Sequence, residues 1–192
     1  MKNIKNLVYC LMAACMLLSA CKKEDDAKPS AGEPAWAPGK WFKANNQKVF
    51  DFIYNNNVID SFVMNVQKAD SGVYEIRSWD KTMSQTAFQF FDGGYLKSFN
   101  TGQTKLNATR IAKIGAKQGD TWKDFNGTDT VQCTIKNTGV QVTVLAGSFT
   151  CTEMEMRYIK SGNVLTFYSN DEFSVIKIVT GTARYELRQT NF

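Results

Sequence analysis

Histidine is absent from this chain of 192 residues. Its absence excludes Ser-His-Asp and Cys-His nucleophilic sites and every His-ligated metal centre. There is no Gly-rich phosphate loop and no GxSxG elbow. Charge of one sign is also missing. Without the first twenty residues the chain holds 21 basic and 18 acidic side chains, a net of +3, with no Lys/Arg stripe. That balance carries no footprint of nucleic-acid binding. Proline occurs three times, and Pro29, Pro34 and Pro38 all fall in one short stretch.

Hydrophobic runs are short too. The longest spans Leu7 to Leu18 and follows the basic opening Met1-Lys2-Asn3-Ile4-Lys5-Asn6. About twenty apolar residues are needed to cross a bilayer as a helix, so this run reads as the h-region of a secretory signal. It ends Leu18-Ser19-Ala20-Cys21, which resembles the lipobox of bacterial lipoproteins. The resemblance implies cleavage between Ala20 and Cys21 and acylation of the Cys21 thiol. Each buried CH₂ contributes about 0.8 kcal/mol, and the two or three acyl chains of such proteins imply stable attachment. Lys22-Lys23-Glu24-Asp25-Asp26 follows. The acidic cluster resembles the surface-export signal of Bacteroidota lipoproteins. It implies an outer-membrane, cell-surface location, with a periplasm-facing anchor as the alternative.

These boundaries divide the chain into a signal peptide over 1–20, a lipidated, charged and Pro-containing tether over 21–40, and one domain over 41–192. Trp36 and Trp41 flank the end of the tether and mark where the chain docks onto the domain. The domain reads in period two. Val73-Tyr74-Glu75-Ile76-Arg77-Ser78-Trp79 alternates cleanly, and Asn55-Asn56-Asn57, Ala69-Asp70-Ser71-Gly72 and Asp92-Gly93-Gly94 break neighbouring runs as turns. Short strands with turn signals every 8–12 residues predict an all-β fold, an antiparallel meander forming a sandwich or a partly closed, curved barrel. Leu106 to Lys117 reads equally as a strand or a short helix.

Cys133 and Cys151 are the domain's two cysteines, and they are not at a zinc spacing. An oxidising compartment would allow a disulfide between them. If 131–136, 140–145 and 149–158 are consecutive neighbouring strands, with Asn137-Thr138-Gly139 as the turn between the first two, the cysteines lie two strand spacings apart, roughly 9.5 Å. A bridge needs Cα atoms within about 7 Å. It therefore requires the chain to change sheets at Ala146-Gly147, and two buried thiols are the alternative.

Gly119-Asp120-Thr121-Trp122, then Val142-Thr143-Val144-Leu145-Ala146-Gly147-Ser148-Phe149-Thr150-Cys151, then Phe173-Ser174-Val175-Ile176-Lys177 resemble a pattern of small β-rich Bacteroidota lipoproteins, the DUF3108-like group. The resemblance covers the C-terminal 75 residues or so. Ser174 stands where the pattern has glycine, and Leu145 where it has proline. It implies a strongly curved antiparallel sheet, partly closed like the lipoprotein-carrier half-barrels, and carries no activity or functional residues. Gly39-Lys40-Trp41 resembles the lipocalin GxW triplet, without the rest of that signature.

No catalytic residue, cofactor or metal ligand emerges. Glu153 with Glu155, or Asp171 with Glu172, are the carboxylate pairs a glycosidase would need. Glu153, Glu155 and Arg157 alternate instead as the wet face of a strand whose Met154 and Met156 point inward. Val49 to Tyr54 and Phe88 to Phe91 are apolar on both faces and need cover on both. A second sheet, a ligand or a partner would supply it. The sequence thus points to a non-enzymatic binding module for an apolar or glycan ligand, held to a membrane by its lipid. A structural or accessory subunit of an outer-membrane assembly, with an outer-membrane protein as partner, is the alternative.

Overall fold

The computed structural model describes residues 39–125, 129–172 and 174–192. Ala20, Cys21, the tether as far as Pro38, and Trp36 lie outside the described residues. Twelve antiparallel strands follow one another: β1 (Gln47–Tyr54), β2 (Asn57–Asp70), β3 (Val73–Trp79), β4 (Ser84–Asp92), β5 (Tyr95–Asn100), β6 (Thr109–Lys113), β7 (Thr121–Phe125), β8 (Thr130–Val144), β9 (Gly147–Tyr158), β10 (Val164–Asn170), β11 (Ser174–Thr180) and β12 (Ala183–Thr190). The one helical piece among the described residues is a 3-10 turn, Lys105–Asn107, so the ambiguous stretch contains both a short helical turn and a strand.

Each strand pairs with its neighbour in the chain, except across β6 and β7, and β1 also pairs with β12. A single sheet results, curled into a nearly closed barrel; the sandwich alternative is not what forms. Tight turns drive the meander. Asn55-Asn56, Ser71-Gly72 and Gly93-Gly94 each take two positive φ values between directly paired strand ends. That is the turn whose twist matches a hairpin, and Asn and Gly reach it most easily.

An up-and-down meander sorts its connections to two ends. The chain enters β1 and leaves β12 at what we term the tether end, where the connections after even-numbered strands also lie. The others lie at the far end. Gly39, Lys40 and Trp41 dock at the tether end. Trp41 N–H donates to the Glu172 carbonyl (3.1 Å), Lys40 pairs with the Glu172 carboxylate, and Trp41 is buried, so the tryptophan does mark the docking point. A Cβ on Gly39 would stand 2.0 Å from the Asp171 carbonyl oxygen, which explains the glycine there. Phe42 packs at 5.0 Å on both Tyr74 and Phe91, and Phe192 lies 6.1 Å from Trp41. These rings plug the tether end.

β6 and β7 are the sheet's two edges, and side chains clasp them together. The Arg110 backbone N–H donates to Asp124 Oδ2 (3.0 Å), and its guanidinium meets the same carboxylate (3.0 Å). Trp122 Nε1 donates to the Arg110 carbonyl (3.2 Å), and the Trp122 ring meets Tyr95 edge-on at 5.5 Å. The Gly119-Asp120-Thr121-Trp122 segment is therefore architectural. Gly119 has φ +89°, the Asp120 carboxylate accepts Lys117 N–H (2.8 Å), and Trp122 reaches across the seam.

Two expectations need correcting. The stretches 131–136 and 140–145 are one strand, β8, and Asn137-Thr138-Gly139 forms an irregularity within it where the register against β9 shifts. The extra residues bend the hairpin, and its tip crosses to β12, where Ala146 N–H donates to the Leu187 carbonyl (3.2 Å). The cysteines are consequently on directly paired strands but out of register. Cys133 faces Met156 and Cys151 faces Val140, and both are buried free thiols. Five residues along β9 separate Cys151 from the position facing Cys133, roughly 16 Å, which no disulfide spans.

The clasp yields a prediction. Charge-assisted hydrogen bonds of this kind contribute about 1.5–3 kcal/mol. Asp124→Ala is expected to lower unfolding free energy by about 2 kcal/mol. It should also speed amide exchange in β6 and β7 before the other strands, read by hydrogen–deuterium exchange mass spectrometry. Unchanged exchange at the seam would show that the clasp does not hold it.

Candidate ligand cavity

Alternation places one face of every strand inside the ring. Phe50 and Phe52 of β1, Phe62 and Met64 of β2, and Met154 and Met156 of β9 point inward. Short side chains interrupt these bulky ones around the ring: Ser78 stands in register with Met64 of the next strand, and Ala87, Ser98, Ala112, Ser169 and Ser174 line the same space. Bulky and short side chains together enclose a cavity of about 140 Å³ with mostly apolar walls. A second cavity of about 150 Å³ shares Leu96, Ala112, Met154, Ser169 and Ser174 with the first. It lies under Phe42 and Phe91 and runs to the tether end between the β6–β7 connection and the β10–β11 turn, where Gly115 and Asp171 are exposed.

Two of the first cavity's lining residues stand out. Tyr185 and Ser98 are buried, at 1% and 4% exposure, and neither hydroxyl has a hydrogen-bond partner. Tyr185 is held rigidly, its ring stacked on Phe52 at 4.9 Å and edge-on to Phe62 at 6.2 Å. Burial, then the nearby charges of Asp80 and Asp60, push its phenol well above the ordinary range, so it stays a neutral donor. A buried hydroxyl left unpaired is costly, about 1–3 kcal/mol, and a ligand group that pairs with it recovers that energy.

Lys48 sits at the base of the ring. It lies on the inward face of β1, fully buried, with Nζ 4.3 Å from the Trp41 ring and 3.4 Å from the Val175 carbonyl. Burial drives its pKa well below the ordinary 10.5.

The other candidates are placed as follows. Glu153 accepts from Asn137 (2.6 Å), and Glu155 pairs with Arg157 (3.1 Å) and Lys136 (3.8 Å), on the wet face. Asp171 borders the second cavity, while Glu172 is engaged by Lys40 and by the Trp41 amide. No pair of carboxylates faces another across either cavity among the described residues. Burial pushes the Cys151 thiol up to about 11, which makes it a poor nucleophile. No group of acidic or cysteine side chains among the described residues could hold a metal ion. On the outer face Phe88 and Phe99 stack at 5.1 Å, and Lys105 covers Phe90 at 5.3 Å, so the doubly apolar strand β4 provides part of its own cover. Sequence reasoning missed Tyr185 and Ser98. Tyr185 falls on the inward phase of Ala183-Arg184-Tyr185-Glu186-Leu187 and reads as ordinary core, Ser98 lies between Lys97 and Phe99 where the alternation is ambiguous, and nothing local reveals that either hydroxyl lacks a partner.

No protein-family model matches the chain, the DUF3108-like pattern included, and no curated protein matches it. Two solved structures share the fold. One is a protein from Bacteroides fragilis described as exported and of YmcC-like fold, 12% identical, with TM-score 0.52 over 82% of this chain and 99% of that one. The other is a protein from Parabacteroides distasonis described as a lipoprotein, 10% identical, with TM-score 0.50 over 78% of this chain and 96% of that one. At such identities the likeness shows the fold alone. The chain is thus an all-β barrel of the kind found in those two proteins. Ser174, where the C-terminal pattern has glycine, has φ +60°, a backbone state that favours glycine.

The buried lysine gives a pH prediction. The unfolded chain binds the Lys48 proton up to the ordinary range and the folded chain releases it earlier, so stability rises as pH climbs toward 10.5. Lys48→Met is expected to stabilise the barrel by about 1–3 kcal/mol near neutrality and to flatten that alkaline rise. Urea unfolding at about pH 7 and about pH 10 checks it, the gain being larger at the lower pH. A less stable variant at neutral pH would show that the ammonium itself supports the fold.

Proposed function

We propose that this chain is a lipid-anchored envelope protein whose barrel binds, without chemical conversion, one small apolar molecule carrying a single hydrogen-bonding group. The observation that carries this reading is the apolar cavity of about 140 Å³, whose lining residues include Tyr185 and Ser98, each with a buried hydroxyl that has no hydrogen-bond partner. A dry apolar cavity of about 150 Å³ is known to take up a benzene-sized guest. Of the two ligand classes the sequence suggested, the wall favours the apolar one. A glycan needs many paired polar groups, and this wall offers few. Anchoring rests on Leu18-Ser19-Ala20-Cys21, and an outer-membrane, surface-exposed location rests on Lys22 to Asp26. The names of the two fold neighbours are in keeping with export and lipidation.

Titration with straight-chain alcohols and the matching alkanes tests the binding. Alcohol affinity is expected to rise about fourfold per CH₂ until the cavity is filled. Tyr185→Phe should weaken the alcohols about tenfold and leave the alkanes unchanged. Ala112→Phe, which fills the shared wall, should abolish both. An interior that admits neither series would overturn the reading. The anchor is tested separately: Cys21→Ser is expected to move the protein out of the detergent-extractable membrane fraction, and continued membrane partitioning would remove the lipid from the account.

A further inference from the structure

Among the described residues six large apolar side chains stand well out in solvent: Val58 (61% exposed), Met83 (38%), Leu106 (96%), Phe125 (54%), Ile159 (51%) and Leu145 (76%). Single exposed apolar residues are ordinary on a protein surface. Their placement here is not. Val58 follows the β1–β2 turn, Met83 lies between β3 and β4, Leu106 between β5 and β6, Phe125 closes β7, and Ile159 opens the β9–β10 connection. All five belong to the far end of the barrel, on successive connections around the rim. Leu145 alone is at the tether end, on the tip of the β8–β9 hairpin.

Charge is sorted in the same way. The charged side chains exposed on the far-end connections are Lys81 and Lys160, together with Lys105, whose ammonium folds back over Phe90 on the outer face. The two acids there are turned inward. Asp80 Oδ1 accepts Thr82 N–H (2.6 Å) and Met83 N–H (2.9 Å), and buried Asp129 accepts Lys160 N–H (2.7 Å) and Ser161 N–H (3.0 Å). The tether end, by contrast, exposes Asp70, Asp92 and Asp171 among its lysines.

We propose that the far end of the barrel is a docking surface for an anionic lipid bilayer. Residues ringed around one end of a barrel can be met all at once only by something flat. Apolar tips that enter the headgroup layer, beside lysines that stay at its surface, suit an interface that is apolar within and negative outside. A protein partner would call for a contiguous apolar centre with a polar rim, the reverse of a ring of separate tips. The far end is also remote from Gly39, so the surface adds a second membrane contact to any made through the tether.

The test uses the chain from Lys22 onward, which keeps the whole barrel and has no acyl group, in co-sedimentation with phosphatidylcholine vesicles with and without phosphatidylglycerol. Binding is expected only to the anionic vesicles and should be lost in high salt. Lys81→Ser and Lys160→Ser should each weaken it about fivefold. Leu106→Ser with Phe125→Ser should abolish it, with melting temperature and near-ultraviolet circular dichroism unchanged, because these side chains already face water. Equal binding to both vesicle types, binding to neither, or insensitivity to the lysine changes would overturn the proposal. So would a dimer of the parent chain that the Leu106/Phe125 variant dissolves, since a second copy would then be what covers the surface.

Discussion

The ladder between β1 and β12 joins the first strand of the barrel to the last, and the inner surface exists because of it. A meander of twelve strands left open would expose one apolar face along its whole length. Pairing Phe50 with Leu187 and Phe52 with Tyr185 across that ladder turns the face inward and brings rings from opposite ends of the chain to within 4.9 Å. Every other ladder in the barrel joins strands that are neighbours in the chain, so this closure is the step with the largest loop entropy and the slowest expected formation. The second closure, between β6 and β7, has no ladder and relies on Arg110, Asp124 and Trp122. One join is thus made by backbone and the other by side chains, which makes the second the weaker.

Much of the architecture was legible because it is local. Period-two alternation and φ-positive turn residues occupy adjacent positions, and Asn55-Asn56, Ser71-Gly72 and Gly93-Gly94 all form turns. The same signal misled at Asn137-Thr138-Gly139. Gly139 does take a positive φ, +76°, but spends it on a bulge within β8 and not on a reversal. Both features call for the same backbone state, so residue types alone do not separate them. The geometry argued for Cys133 and Cys151 inherited that error. The clasp was invisible for another reason: Arg110 and Asp124 attract only after ring closure brings two edges together.

The cavity could not be read from the sequence at all. Alternation tells which side chains point inward, but volume depends on how many strands enclose them and which sizes end up opposite. Ser78, Ala87 and Ser98 look like ordinary small strand residues until the ring gathers them around one space with Phe50, Phe62 and Met156. The segments Gly119 to Trp122 and Val142 to Cys151 carry architectural residues. Asp120 fixes a turn, Trp122 closes the seam, and Ala146 ties the bent hairpin to β12. A sequence pattern made of joints says how the barrel is shut and nothing about what it holds, which leaves room for proteins of one shape to differ in their interiors.

The two ends of the barrel are chemically unlike, and this bears on how a guest would come and go. At the tether end Trp41, Phe42 and Phe192 form a plug, and beside it the second cavity meets the surface among Lys113, Asn170 and Asp171. At the far end the interior is shut by Tyr185, Asp60 and Ser78, all buried, beneath connections that carry the exposed apolar tips. A guest entering by the second cavity would pass a half-polar mouth before it met the apolar walls of the first, at whose far side Tyr185 stands. A membrane met by the far-end rim would leave that opening free. Were both proposals to hold, contact with lipid and exchange of a guest would fall at opposite ends of the same strands and need not compete.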